Sequence, residues 1–268
     1  MMNLIVSCAL IFIVAVTMTM VGKGGGNFYV VILAIAGLPM HQAATTGQFI
    51  LFAASVAAMI VFQKNKAVSW PLAFLVGGLT AVAALAGGYF SHLFSGFALK
   101  IIFAVMLAAA GAIMLVPVSE NKHPERTPRV STLRLKSGED RYFVNLWIAV
   151  PATILTGFGA GMVGVSGGSF LVPLMVVACG VSMHTAVGTS STLIAAIAFM
   201  GFTGHAVQGD FNPQWALPLA AMTVIGGILG GKFALNTKPK YLKQVFAYTN
   251  WLAALFMVIN AFYTTGGV

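Results

Sequence analysis

A chain of 268 residues with 59% hydrophobic and only 7% charged side chains, at a mean hydropathy of +0.95, falls outside the range of soluble proteins. Soluble domains carry about 25% charged residues, so most of this surface must be solvated by lipid. The net charge of +9 comes largely from Lys and Arg in short loops, which is the positive-inside pattern of membrane proteins and excludes a nucleic-acid partner.

From Met1 to Gln63 the only formal charge is Lys23. Residues 1–21 resemble a secretory leader but lack a basic start and a small-residue cleavage site. They are therefore expected to form the first helix, over 3–21. Helices over 28–38, 42–62, 68–91 and 97–117 complete the first half, 1–117. A polar stretch, 118–141, carries six Lys/Arg and most of the acids; it is expected to be a cytoplasmic linker. The second half, 142–268, predicts helices over 142–163, 170–181, 184–206, 214–234 and 242–263. Between Arg141 and Lys232 its one charge is Asp210. These runs are continuously apolar, not alternating, so an all-α membrane protein of about ten transmembrane segments is predicted over a barrel. Cys8 and Cys179 both fall in apolar segments, so neither a disulfide nor a metal site is expected.

The two halves repeat one pattern at an offset of about 143 residues. Gly24-Gly25-Gly26-Asn27-Phe28 leads to Gly37, Met40-His41, Ala43 and Thr46. Ser166-Gly167-Gly168-Ser169-Phe170 leads to Gly180, Met183-His184, Ala186 and Thr189. Further on, Gly87-Gly88 matches Gly230-Gly231, Phe90 matches Phe233, Leu99-Lys100 matches Leu242-Lys243, and Phe103-Ala104 matches Phe246-Ala247. Segments 28–38 and 170–181 rise only about 16–18 Å as regular helices, too little to span a bilayer. Both parallel and inverted repeats are thus open on length alone. The basic loops discriminate. Lys64 and Lys66 follow the third segment of the first half, whereas the equivalent second-half loop holds Asp210. Lys232, Lys238, Lys240 and Lys243 follow the fourth segment of the second half, whereas the first-half loop is nearly neutral. The basic side switches between halves, which predicts two inverted five-helix repeats with both termini outside.

Glycine-rich sequence, then Phe170-Leu171-Val172-Pro173-Leu174, then Gly188-Thr189-Ser190-Ser191 resembles the TauE/SafE sulfite-exporter family of membrane permeases. The resemblance runs through both halves. The first half departs from it: Lys23 enters the glycine run, Val31 replaces the proline, and Thr45-Thr46-Gly47-Gln48 replaces Gly-Thr-Ser-Ser. The resemblance implies transport of sulfite, organosulfonates or related small anions.

The glycine runs are the sharpest site signal. Each interrupts apolar sequence before a candidate N-cap, Asn27 or Ser169, so each should open a helix whose free N–H groups attract an anion. Interrupted helices at matching places in two repeats point to a transporter site; close helix packing through small residues is the alternative. The expected substrate-binding set is Lys23, Gly24, Gly25, Gly26, Asn27, His41, Thr45, Thr46 and Gln48 from the first half. From the second half it is Ser166, Gly167, Gly168, Ser169, His184, Thr189, Ser190 and Ser191. Lys23 either pairs with the anion or snorkels to an interface. The hydroxyls either contact ligand or bond their own backbone. His205 and Asp210 read as solvated loop flanks. Gly157-Phe158-Gly159-Ala160-Gly161 and Gly226–Gly230 read as helix-packing faces.

The sequence thus predicts a secondary transporter of small anions working by alternating access in a multi-pass membrane location, with a bacterial inner membrane expected. One anion is expected near the bilayer midplane between the two glycine breaks. Its partners are the anion, the lipid bilayer and a coupling ion, proton or sodium. No cofactor is expected, and no nucleotide loop is present. An anion channel and a membrane-embedded enzyme are the alternatives; the shortage of intramembrane acids argues against the enzyme.

Overall fold

The computed structural model describes residues 4–90, 95–116, 132–137, 140–163, 168–206 and 211–265. Ten helices lie among them: α1 (Leu4–Met20), α2 (Gly26–Ile35), α3 (Met40–Lys64), α4 (Trp70–Phe90), α5 (Gly96–Leu115), α6 (Leu146–Val163), α7 (Gly168–Pro173), α8 (Met183–Ala206), α9 (Pro213–Asn236) and α10 (Pro239–Thr265). Five stretches, in α3, α5, α8, α9 and α10, are long and apolar enough to cross a membrane. Ile5, Phe74, Val82, Leu155, Met200 and Phe262 are largely exposed on the helices. In a chain of this hydropathy, such a surface faces lipid.

The two short segments stay short. α2 has 10 residues, about 15 Å of rise. α7 has six and runs directly into a π-helical stretch, Leu174–Ala178. The region expected as an irregular linker also contains regular structure. An antiparallel hairpin pairs β1 (Thr132–Ser137) with β2 (Asp140–Asn145), and α6 starts at Leu146, four residues later than expected.

Two compact units emerge, and each draws on both sequence halves. The first comprises Met1–Val68 and Val187–Lys238; the second comprises Ser69–Ala186 and Pro239–Val268. In the first unit α9 packs along α1 and α3; in the second, α4 packs along α6 and α5 along α10. The fourth helix of each half therefore packs on the first helix of the other half.

The glycines of α9 explain its close fit. A Cβ on Gly226 would lie 2.7 Å from the Ala15 Cβ, and one on Gly230 would lie 2.6 Å from the Val16 carbonyl oxygen. One residue further on, about 100° round the helix, Gly227 abuts the Ala54 carbonyl and Gly231 abuts Val61. One face of α9 thus receives α1 and the other receives α3, as the packing reading of this run expected. Thr223 adds a cross-helix bond, its Oγ1 donating to the Ile50 carbonyl at 3.2 Å. Gly157 meets Thr80 in the same manner within the second unit. Replacing Gly227 with Val should cost about 1–3 kcal/mol or more through overpacking. Gly78→Ala, at a position with open space around it, should stabilise α4 by up to about 1 kcal/mol. Thermal unfolding of the detergent-purified variants measures both; a Gly227→Val protein as stable as the parent would contradict the packing.

Candidate anion site at the first glycine break

The break between α1 and α2 is built by backbone rules. Gly22, Gly24 and Gly25 all have positive φ, at 74°, 75° and 80°. Gly22 ends α1 in a Schellman arrangement: its N–H donates to the Thr19 carbonyl at 3.0 Å and the Lys23 N–H to the Met18 carbonyl at 2.9 Å. Only glycine takes such a φ without a steric penalty. Gly25 is the N-cap of α2, in the left-handed region and with no side-chain cap. The first N–H groups of α2 precede the helix's own hydrogen-bond ladder.

This corrects the expected caps. Asn27 is already inside α2 and exposed, and Ser169 is the second residue of α7. Left-handed backbone at Gly24 and Gly25 turns the chain without a capping side chain, so the helix opens before the residue whose type suggested a cap.

Close packing fixes the depth of the break. A Cβ on Gly24 would lie 2.7 Å from Leu51 of α3 and 2.9 Å from Ile194 of α8. Both residues stand near the middle of their helices, which have 25 and 24 residues. The non-helical backbone therefore sits about half-way along two membrane-length helices. Ser190 ties it there: its Oγ donates to the Gly22 carbonyl at 2.8 Å, across 168 residues of sequence. Beside this bond lies Lys23, at 7% exposure. A lysine so placed is buried in protein and does not snorkel to an interface.

The other expected residues divide. Thr45 and Ser191 bond their own helices, donating to the His41 and Val187 carbonyls at 2.9 Å each. Thr189 is buried and His184 half-buried, and both are engaged; His41 is exposed. Thr46 Oγ1 and Gln48 Oε1 are buried without hydrogen-bond partners among the described residues. Gln48 packs against Gly201 of α8. The first unit thus brings the first-half break together with the second half's Ser190. The second-half glycine run belongs to the other unit: Gly168 is buried, while Ser166 and Gly167 lie outside the described residues, as does Asp210.

Sequence reasoning missed two buried polar groups. Tyr29, fully buried on α2, has a hydroxyl without a partner. Asn250, fully buried on α10, donates from Nδ2 to the Ser169 carbonyl at 3.5 Å. A polar residue inside an apolar run of α10 was the available signal for Asn250.

A family profile described as Sulfite exporter TauE/SafE matches residues 7–257, nearly the whole chain. The chain belongs to the TauE/SafE sulfite exporter family. Curated relatives carry matching names. The "Probable membrane transporter protein YunE" of Bacillus subtilis is 24% identical over 249 residues, covering 88% of this chain and 90% of that protein. A second B. subtilis protein, "Probable membrane transporter protein YdhB", is 22% identical over 92% of this chain and 97% of its own length. The "Probable membrane transporter protein MJ0441" of Methanocaldococcus jannaschii is 23% identical over 92% of each chain. No solved structure matches the chain. The resemblance read from residues 161–174 and 186–191 therefore identified the family. Family and fold together make this a multi-pass membrane transporter.

Ser190→Ala would leave the Gly22 carbonyl without its donor in a buried position. That should cost about 1–3 kcal/mol, read as a lower unfolding midpoint. Ser191→Ala, which removes only a bond to its own helix, should shift the midpoint far less.

Proposed function

We propose that the protein is a secondary transporter of small sulfur oxyanions, such as sulfite or organosulfonates, working by alternating access. The break at Gly22–Gly25 is the substrate-binding element of the first unit. One observation carries the reading: Lys23 is buried half-way along α3 and α8, beside the start of a short helix. A buried ammonium and a helix start both favour a compact anion. Each interaction gains strength where water is excluded. The free hydroxyl of Thr46, on the helix that packs along α2, adds a donor suited to the same ligand. Gly24, Gly25 and Gly26 supply backbone, and Ser190 holds it in register. The second-half run Ser166–Ser169 is the counterpart expected from the repeat.

The two halves act as inverted repeats. The lysine switch between loops supports this, as does the matching exchange of α4 and α9 onto the first helix of the opposite half. Inversion places both termini outside and loops 63–67, 118–141 and 235–241 in the cytoplasm of a bacterial inner membrane. The energy source in this reading is an ion gradient.

Lys23→Met should weaken sulfite binding at least about tenfold, the loss expected for one charge-assisted hydrogen bond of about 1.5–3 kcal/mol. Lys64→Met, at an exposed helix end, should leave binding within about twofold. Calorimetric or thermal-shift titration of the two purified variants measures this; equal affinities would remove Lys23 from the site. For topology, cysteines placed at residues 122 and 130 should resist an impermeant thiol reagent in intact cells and react after permeabilisation. Labelling in intact cells would overturn the orientation.

A further inference from the structure

The second unit contains a group of oxygen atoms that the anion reading leaves unused. In a regular helix the N–H of residue 173 would bond the carbonyl of residue 169. Residue 173 is proline and has no N–H, so the Ser169 carbonyl lacks that i+4 donor. Below Pro173 the helix continues with π-type spacing, the Cys179 N–H reaching the Leu174 carbonyl at 3.3 Å. What faces the Ser169 carbonyl is Asn250 of α10, whose Nδ2 approaches to 3.5 Å, a long and weak contact. The amide presents its NH2 side to this carbonyl oxygen, as an acceptor requires. Asn250 Oδ1 is then left buried, in a fully buried residue, with no donor among the described residues.

Two neutral oxygens, one a proline-freed carbonyl and one a carboxamide, therefore lie within one side chain of each other at the start of a short membrane-embedded helix. Both are acceptors, and a rotation of the Asn250 amide turns Oδ1 toward the Ser169 carbonyl. Such a pair repels an anion and offers hard oxygen ligands to a cation. Freed carbonyls in broken helices serve that purpose in membrane transporters. Neither oxygen titrates in the physiological range, so the pair suits a metal cation and not a proton. We infer that the Ser169 carbonyl and Asn250 Oδ1 form part of a Na+ site in the second unit. Its role as the coupling-ion site rests on the transporter reading above; cation binding itself does not.

The test is read without the sulfur oxyanion, and chloride is matched in both arms. The unfolding temperature of purified protein is titrated with NaCl against choline chloride at constant ionic strength. Na+ should raise it saturably, and choline should not. Asn250→Ala should weaken the apparent Na+ affinity at least tenfold, and Asn250→Asp, which keeps the oxygens and adds charge, should retain or strengthen it. Pro173→Ala restores the missing N–H and should also weaken the Na+ response; it decides the matter if Asn250→Ala does not fold. A parent protein indifferent to Na+, or a Pro173→Ala variant that responds like the parent, would overturn the site. A Na+ response that survives in Lys23→Met protein would keep the cation site even if the anion reading failed.

Discussion

Inside a bilayer, every backbone N–H and C=O needs a partner from the protein, because hydrocarbon offers none. This constraint makes the chain helical almost throughout and makes each departure from helix informative. The segment from Val21 to Gly25 is non-helical at mid-height of α3 and α8. It persists because its polar groups are accounted for locally. The Schellman bonds close α1, and Ser190 caps the Gly22 carbonyl from another helix. Leu51 and Ile194 seal the Gly24 face. The break is held by these contacts, and the buried side chain of Lys23 rides on it.

The helices were legible because hydropathy in lipid is a strong signal. Most ends fall within three residues of where apolar runs and loop residues put them; α6 starts four late because the preceding residues pair as β2. Gly37 and Gly180, aligned by the repeat, both have positive φ at the ends of the short helices, at 101° and 65°. Less was legible at the site. Composition suggested Asn27 and Ser169 as caps, but backbone conformation at Gly25 decided the first helix start. Nine hydroxyl or amide residues looked alike in sequence. Only coordinates separate Thr45 and Ser191, which bond their own helices, from Ser190, which crosses to the break. The pairing of α9 with α1 and α3 also depends on tertiary fit, which local sequence does not encode.

The two halves of the sequence carry matching glycine runs that differ chemically. In the first, Lys23 brings a cation into a run whose counterpart has Val165, and Val31 retains the N–H that lets α2 continue as a regular helix. In the second, Pro173 occupies the position equivalent to Val31, removes that N–H, and leaves the carbonyl of Ser169 to Asn250. The positions equivalent to Ser169 and Asn250 in the first half are Asn27 and Leu107. Asn27 is exposed and Leu107 is buried among apolar neighbours. The first break therefore gathers a buried lysine and hydroxyl donors, whereas the second unit sets two acceptor oxygens, the Ser169 carbonyl and Asn250 Oδ1, close together. Two like sites would serve a single ligand twice. If both proposed sites are occupied, their opposite polarity suits co-transport of an anion with a cation, which lowers the net charge moved per cycle and hence the work against the membrane potential, about 2.3 kcal/mol per charge at 100 mV.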